Sequence, residues 1–190
     1  ASLNFNEYLS DAIIIENLIK KKNNEIKILE FGSGWGFWTR FMKSMNFEVE
    51  TLEISPSRID YLKQTKVNNY KNLSEIDKQY DVIFSNQVLE HIPFPLETLK
   101  DLKIKLKDDG IMFHKFPSSF LFKKKLSKNY LPKTDCAHPL EHINIFNSSC
   151  FNEMCKISGL KKINIKSRNF FDKKRLFKNN FIFNQIILKK

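Results

Sequence analysis

Residues 28–36 read ILEFGSGWG, a short apolar strand that ends in an acid and is followed by a turn with three glycines. Glycine adopts positive φ without strain and lets the backbone come within contact distance of a ligand. The amide groups that open the following helix point toward any negative group that such a ligand carries. The stretch therefore predicts a site for a nucleotide-type cofactor after a strand of an α/β domain.

The spacing of the glycines separates two classes of cofactor. A dinucleotide site has the pattern G-x-G-x-x-G, but the position of its third glycine is occupied here by Phe37. Glu30, just before the loop, would repel a pyrophosphate and attract an ammonium group. S-adenosylmethionine has an ammonium group, a carboxylate and a ribose, and it has no phosphate. Glu53 ends a second predicted strand about 20 residues past the first glycine, where a carboxylate can bind the two ribose hydroxyls.

Several segments resemble the motifs of class I S-adenosylmethionine-dependent methyltransferases, in the same order and spacing. They are Glu30–Gly36, Glu53, Tyr80–Ile92 and Leu106–Met112. Glu141–Phe146 and Leu160 resemble the E-H-x-x-x-F and distal segments of the subgroup that methylates small molecules. The resemblance covers most of the chain, and it implies S-adenosylmethionine as cofactor and methyl transfer to a small metabolite, with O-methylation as the favoured reaction.

The resemblance also implies which residues bind the cofactor. Glu30 and the glycine loop would hold the methionine end, and Glu53 the ribose. The end of the fourth strand would offer backbone carbonyls to the ammonium group, and the segment after the third strand would face the adenine without a clear family match. The predicted cofactor-binding residues are Glu30, Gly32, Ser33, Gly34, Gly36, Glu53, Ile54, Leu73, Ser74, Ser85 and Asn86.

Methyl transfer needs little from protein side chains, because the sulfonium already activates the methyl group and the enzyme mainly aligns the reactants. A hydroxyl acceptor is helped by a base, and histidine is the natural base near neutral pH. His91 follows the fourth strand at the predicted cleft, and His142 lies in a segment that should return to the same mouth. Both are predicted catalytic residues, and a structural role is an equally open interpretation of each. His114 and His138 are interpreted as structural.

Gln87, Glu90 and His91 resemble the E-x-x-E-H pattern of a divalent-metal site in some quinone-pathway O-methyltransferases. Here glutamine replaces the first acid, which weakens a site that depends on anionic oxygens. The sequence therefore predicts that no metal is required. Glu90 is open to two interpretations, as a ligand contact or as a hydrogen-bonded support for a helix start.

Strand and helix patterns alternate along the first half of the chain, which favours a parallel sheet with helices on both faces. We predict a Rossmann-like, doubly wound α/β fold of about seven strands, mostly parallel, with an antiparallel last strand. The whole of 1–190 is predicted to be one methyltransferase domain. Its predicted parts are an N-terminal helix in 1–25, a cofactor-binding core in 26–116, an irregular substrate-side insert in 117–147, and a last helix and strands in 148–190. Within these parts the pattern predicts a first helix over Phe5–Lys22, a fifth main strand over Gly110–Phe116 and a last helix that runs to Ser158.

Composition narrows the function further. The 190 residues carry a net charge of +11, but lysine is spread along the whole chain, so the sequence disfavours nucleic acid as a partner. Three cysteines without framework spacing favour a cytoplasmic location, and no apolar run approaches the roughly 20 residues of a membrane span. A nucleic-acid methyltransferase, a non-catalytic cofactor-binding module and an NAD-dependent oxidoreductase stay open as alternatives. The sequence does not indicate the acceptor or the oligomeric state.

Overall fold

The computed structural model describes residues 2–117, 119, 122, 136–138, 141–163 and 183–190. Five α-helices lie in these residues. They are α1 (Ser2–Ile19), α2 (Phe37–Ser44), α3 (Pro56–Gln64), α4 (Pro95–Ile104) and α5 (Ser148–Ile157). Seven strands are also described. They are β1 (Lys27–Phe31), β2 (Glu48–Leu52), β3 (Asn69–Tyr70), β4 (Tyr80–Asn86), β5 (Leu106–Pro117), β6 (Lys161–Ile163) and β7 (Phe183–Lys189).

The strands form one sheet in the order β3-β2-β1-β4-β5-β7-β6. Strands β1 to β5 pair in parallel, and β7 runs antiparallel to both β5 and β6. The predicted fold class, with its mostly parallel seven-stranded sheet and antiparallel last strand, is confirmed. The strand order reverses between β1 and β4, and ligands of open α/β sheets bind at such a switch point, outside the carboxyl ends of the strands.

Apolar side chains cover both faces of the sheet, as the alternation of strands and helices predicted. On one face, Ile15 of α1 and Trp38 of α2 pack with Phe84 and Phe113 of the sheet. The rings of Trp38 and Phe84 are stacked with their centroids 3.9 Å apart. On the other face, residues of α4 and α5 pack with β4 and β5; they include Leu99, Leu102, Phe151, Ile83 and Met112.

The boundaries of the elements follow local chemistry. Pro56 opens α3, where its missing amide hydrogen costs nothing. The side chain of Asn147 accepts a hydrogen bond from the Cys150 amide at 2.8 Å and so caps α5, and Gly159 closes that helix with a φ of +65°. This last helix was predicted to run to Ser158, and the structure confirms it to within one residue.

Two predicted boundaries were wrong. The first helix ends at Ile19 and not at Lys22, because Lys20 takes a left-handed backbone conformation with a φ of +54°. Strand β5 begins at Leu106 and not at Gly110, because Leu106 already pairs with Tyr80 before an irregular stretch brings Ile111 opposite Val82. Most of the predicted insert in 117–147, and the segment between β6 and β7, lie outside the described residues. That 1–190 forms a single domain stays a prediction.

Candidate active site

The glycine loop joins β1 to α2 at the switch point of the sheet. Gly32, Gly34 and Gly36 all have positive φ, at +76°, +57° and +65°. A Cβ atom at Gly32 would lie 2.5 Å from the side chain of Val88, and one at Gly36 would lie 2.6 Å from Leu62. A Cβ at Gly34 would meet no described atom within 4 Å. A side chain at Gly32 or Gly36 would therefore have to displace a packed neighbour, whereas Gly34 faces open space in which a ligand would fit.

Glu53 lies at the carboxyl end of β2 and is tied to this loop. Its Oε2 accepts a hydrogen bond from the Gly34 amide at 2.7 Å, and its Oε1 accepts bonds from the Ile54 and Ser55 amides, each at 2.9 Å. The carboxylate is buried, and Arg58 approaches it at 3.7 Å. Ile54 follows with 73% of its side chain exposed, which gives the loop end an apolar surface. The arrangement brings together two residues that the sequence assigned to one cofactor.

Glu30 is buried on the face of the sheet that α1 and α2 cover. The Thr39 hydroxyl, from the first turn of α2, donates a hydrogen bond to its carboxylate. Burial raises the pKa of Glu30 to about 8, and the nearby carboxylates of Glu53 and Asp11 add to that rise. Glu30 therefore holds a proton at neutral pH in this arrangement, and a cationic group next to it would favour the ionised form.

Ser85 and Asn86 end β4 next to the loop. The Ser85 hydroxyl lies 2.7 Å from Nδ1 of His114, and both side chains are buried. Burial lowers the pKa of His114 to about 4, so this histidine is neutral at pH 7, which fits its interpretation as a structural residue. The side chain of Ser85 is thus engaged by the core, while the Asn86 Oδ1 is buried without a partner among the described residues.

Leu73 and Ser74 lie in a short 3₁₀ turn after β3, next to β2 at the same edge. Leu73 is half-buried against the core and Ser74 is exposed. The side chain of Asn69 donates to the Glu53 carbonyl at 3.1 Å and so joins β3 to the end of β2. The assignment of Leu73 and Ser74 to the adenine stays a prediction.

His91 and His142 meet, as the sequence predicted, although 50 residues separate them. Their ring centroids are 4.9 Å apart. Nδ1 of His91 lies 2.7 Å from the Glu141 carbonyl, and Nδ1 of His142 lies 3.2 Å from the Cys136 carbonyl. Because a carbonyl oxygen can only accept, each Nδ1 carries the hydrogen and each Nε2 of a neutral ring has a free lone pair. Burial lowers the pKa of His142, which favours the neutral form of that ring.

Glu90 completes this group in a way that the sequence left open. Its side chain is 1% exposed, and neither carboxylate oxygen has a partner among the described residues. Burial raises its pKa. A Glu90 oxygen and one ring nitrogen each of His91 and His142 all lie within 4.8 Å of one another, a spacing that could hold a metal ion. Hydrogen bonds from the Ile143 and Asn144 amides to the Glu90 carbonyl, each 3.0 Å, fasten the two segments together.

The chain is similar to known methyltransferases. A family model described as a methyltransferase domain matches residues 5–165. The chain is 26% identical to a ubiquinone biosynthesis O-methyltransferase of Haemophilus ducreyi, over 51% of this chain and 49% of that protein. It spans about half the length of the curated relatives that it matches.

Solved structures share the fold at low sequence identity. An S-adenosylmethionine-dependent methyltransferase of Clostridium acetobutylicum has a TM-score of 0.67 at 14% identity, and the match covers 96% of this chain and 91% of that one. A second such enzyme, from Mesorhizobium loti, has a TM-score of 0.68 at 11% identity, with 95% and 98% covered. Within the described residues, the helices are too short or too polar to cross a membrane.

Proposed function

The chain belongs to the class I S-adenosylmethionine-dependent methyltransferase family, and we propose that it transfers the methyl group of this cofactor to an oxygen atom of a small molecule. Membership confirms the resemblance stated from the sequence, and with it the methyltransferase class and the family's cofactor. The acceptor, the individual site residues and a cytoplasmic location belong to the proposal. The odd number of cysteines supports that location.

The cofactor would lie along the carboxyl edge of β1, β2 and β4. The open space above Gly34 supports its placement over the glycine loop, with the methionine end toward Glu30. Glu53 would exchange part of its present bonding for the ribose hydroxyls, and Ile54 would offer its exposed side chain to the adenine. In this orientation the sulfonium methyl would point from the end of β4 toward the segment that carries Glu90 and His91.

The pair of histidines, His91 and His142, is the observation that supports an oxygen atom as the methyl acceptor. Two Nε2 lone pairs, each fixed by a carbonyl on the opposite nitrogen, lie at the mouth beyond β4. One of them would take the proton of an acceptor hydroxyl while the oxygen bonds to the methyl carbon and the carbon–sulfur bond breaks. The named activity of the Haemophilus ducreyi relative, an O-methyltransferase, supports the same choice.

A second way of activating the acceptor has its own support. The Glu90 carboxylate is buried and unpartnered within the described structure, and metal-binding histidines typically donate their other ring N–H to a carbonyl, as His91 and His142 do. Glu90, His91 and His142 would hold a divalent cation, which would lower the pKa of an acceptor hydroxyl as a Lewis acid. Gln87 is not part of this group, and His142 takes the third place. The prediction from the sequence that no metal is required stands against this alternative.

Transfer of labelled methyl from S-adenosylmethionine to a panel of phenols, catechols and aliphatic alcohols tests the proposal. We expect labelled methyl ethers, and a fall in kcat of about 10²-fold or more in His91→Ala or His142→Ala if that histidine is the base, without a change in cofactor affinity. His138→Ala is the matched control and should retain activity. Full activity in both His91→Ala and His142→Ala would contradict the proposal that a histidine acts as the base. Methyl transfer to oligonucleotides, and to no compound of the panel, would favour a nucleic-acid methyltransferase.

Chelation separates the two modes of activation. If a cation activates the acceptor, EDTA abolishes methyl transfer and added Mg²⁺ or Zn²⁺ restores it. The Glu90→Gln variant is then inactive with or without the added cation. If a histidine acts alone, EDTA has no effect. Binding of the cofactor without transfer to any acceptor, in the presence of either cation, would favour the non-catalytic alternative, and binding of NAD in its place would favour an oxidoreductase.

A further inference from the structure

A buried lysine lies at the carboxyl end of β5, outside the residues discussed so far. The side chain of Lys115 is 1% exposed, and its Nζ lies 2.7 Å from Glu7 Oε1 and 2.9 Å from Asp11 Oδ1. Both acids belong to α1 and are one helical turn apart, so they face the sheet together. Burial alone would lower the pKa of Lys115, but Asp11 and Glu7 hold it above its ordinary value, and the lysine is therefore charged.

This ion-pair group connects three parts of the cofactor site. Asp11 also accepts a hydrogen bond from Trp38 Nε1 at 3.1 Å, and Trp38 lies in the first turn after the glycine loop. The Lys115 carbonyl accepts the Gln87 amide at 2.8 Å, directly after Asn86. On the same face, the Asp11 carboxylate is close enough to Glu30 to contribute to the rise in its pKa. Helix α1 is thus fixed next to the methionine end of the site by charged groups.

An ion pair is an expensive way to attach a helix. Buried charges lose their hydration, and apolar side chains of similar volume often pack at least as stably. An ion pair also fixes the position of the helix, because the lysine bonds to Asp11 and Glu7 only in one register of α1 against β5. Such a fixed position is needed where a helix must be placed accurately relative to a ligand.

We propose that Lys115 is a positioning residue for cofactor binding, which through Glu7 and Asp11 holds α1 over the methionine end of S-adenosylmethionine. The proposal rests on the cofactor placement given above. It predicts that cofactor binding protects the amides of α1 from hydrogen exchange. Lys115 itself is bonded to Glu7 and Asp11 and would not touch the ligand.

The chain offers a matched control on the same strand. Lys107, at the opposite end of β5, forms an ion pair with the buried Asp81 at 2.9 Å, and Asp81 keeps Lys21 and the Lys27 amide as further partners. Lys107→Met and Lys115→Met thus each remove the lysine of one ion pair from β5. Lys107 lies far from the predicted cofactor, and Lys115 lies close to it.

Binding of S-adenosylhomocysteine by calorimetry, with hydrogen exchange of α1, tests the proposal. We expect Lys115→Met to raise Kd by about tenfold or more and Lys107→Met to leave it within about twofold. The cofactor product should protect the α1 amides in the wild type and in Lys107→Met, and this protection should be lost in Lys115→Met. A lysine that only supports the fold would leave the protection in place. Equal Kd values for the two variants, or unchanged protection in Lys115→Met, would overturn the proposal.

Lys115→Met leaves the buried Asp11 and the partly exposed Glu7 without their lysine and could fail to fold. The double variant Lys115→Met with Asp11→Leu removes the buried pair together and keeps an apolar contact. We expect it to fold and still to bind S-adenosylhomocysteine about tenfold more weakly than the wild type. Restored affinity would show that packing alone positions α1, and the proposal would be wrong. A wild type that binds no S-adenosylhomocysteine would instead contradict the proposed function.

Discussion

The Gly34 amide donates a hydrogen bond to the Glu53 carboxylate at 2.7 Å. This bond joins the middle of the glycine loop to the end of the neighbouring strand, across 19 residues of sequence. It places the residue predicted to bind ribose next to the loop predicted to bind the methionine end, so that one ligand could reach both.

Glu53→Ala should weaken binding of S-adenosylhomocysteine by more than about tenfold, because hydrogen bonds to a charged group contribute about 1.5–3 kcal/mol and tenfold corresponds to about 1.4 kcal/mol. Titration calorimetry measures the change. Glu48→Ala is the matched control, since Glu48 begins the same strand with an exposed side chain, and it should bind as the wild type does. Equal affinities of the two variants for S-adenosylhomocysteine would contradict the assignment of Glu53 to the cofactor site.

The glycine loop allows a comparison in which backbone strain is held constant. Gly34→Ala and Gly159→Ala both place a side chain at positive φ, which costs roughly 1–2 kcal/mol of stability. The added methyl at Gly34 projects into open space and should block the cofactor, whereas the one at Gly159 meets the flexible end of Lys103. We expect similar losses of Tm, with weakened cofactor binding in Gly34→Ala alone.

Gly32→Ala should behave differently from both. Its Cβ would lie 2.5 Å and 3.0 Å from two carbons of Val88, so overpacking adds to the backbone strain. Thermal unfolding should show a larger loss of Tm than in Gly34→Ala. An equal Tm would mean that Val88 moves aside without cost.

The sequence predicted the alternation of strands and helices along the chain, the glycine loop, and an acid at the end of each of the first two strands. These features depend on local patterns and on spacings within about 20 residues. It also predicted that His91 and His142 share one mouth. It did not predict Thr39 as the partner of Glu30, or Lys115 as a buried residue. Glycine spacing and strand periodicity do not show which side chain of the next helix will donate a hydrogen bond to Glu30.

The contact between Lys115 and Asp11 joins residues that are 104 positions apart. An alternating strand pattern marks which positions face inward, but a lysine in such a pattern is ordinarily assigned to the solvent side. Its burial depends on two acids of α1, and a charge can be buried where such partners satisfy it. Glu90 was left with two interpretations for a similar reason, since its neighbour His142 comes from a distant segment.

Stability should fall with pH between pH 6.5 and about 8 because of Glu30. Its pKa is about 8 in the folded protein and 4.5 ordinarily, so the folded state keeps a proton that the unfolded state has lost, and folding weakens as pH rises through this window. Asp11, with a pKa of about 6, titrates mainly below the window. Histidines whose pKa is lowered from 6.5 have the opposite effect near pH 6.5, where the unfolded chain still binds their protons, and this effect is the same in the wild type and in Glu30→Gln.

Thermal unfolding of the wild type and Glu30→Gln at pH 6.5 and 8 measures this effect. The wild type should lose up to about 1.4 kcal/mol per pH unit, and Glu30→Gln should lose less. Glu50→Gln is the control: the pKa of Glu50 is lowered, so its contribution changes only at acidic pH, and the slope of the wild type should remain. Identical slopes in all three proteins would contradict the protonated state of Glu30.

Cofactor binding should release a proton near pH 7. The ammonium group of the ligand would favour ionised Glu30 and so displace the proton that burial retains. Calorimetric titrations with S-adenosylhomocysteine in two buffers of different ionisation enthalpy count the protons released. We expect a net release by the wild type and none by Glu30→Gln; release by both would place the proton on another group.

A crystal structure with S-adenosylhomocysteine is the most direct test of the cofactor site. We expect the amino-acid end of the ligand over Gly34 and next to Glu30, the ribose hydroxyls at Glu53, and the sulfur facing the mouth formed by Glu90, His91 and His142. A ligand bound away from the carboxyl edge of β1 and β2 would contradict this assignment.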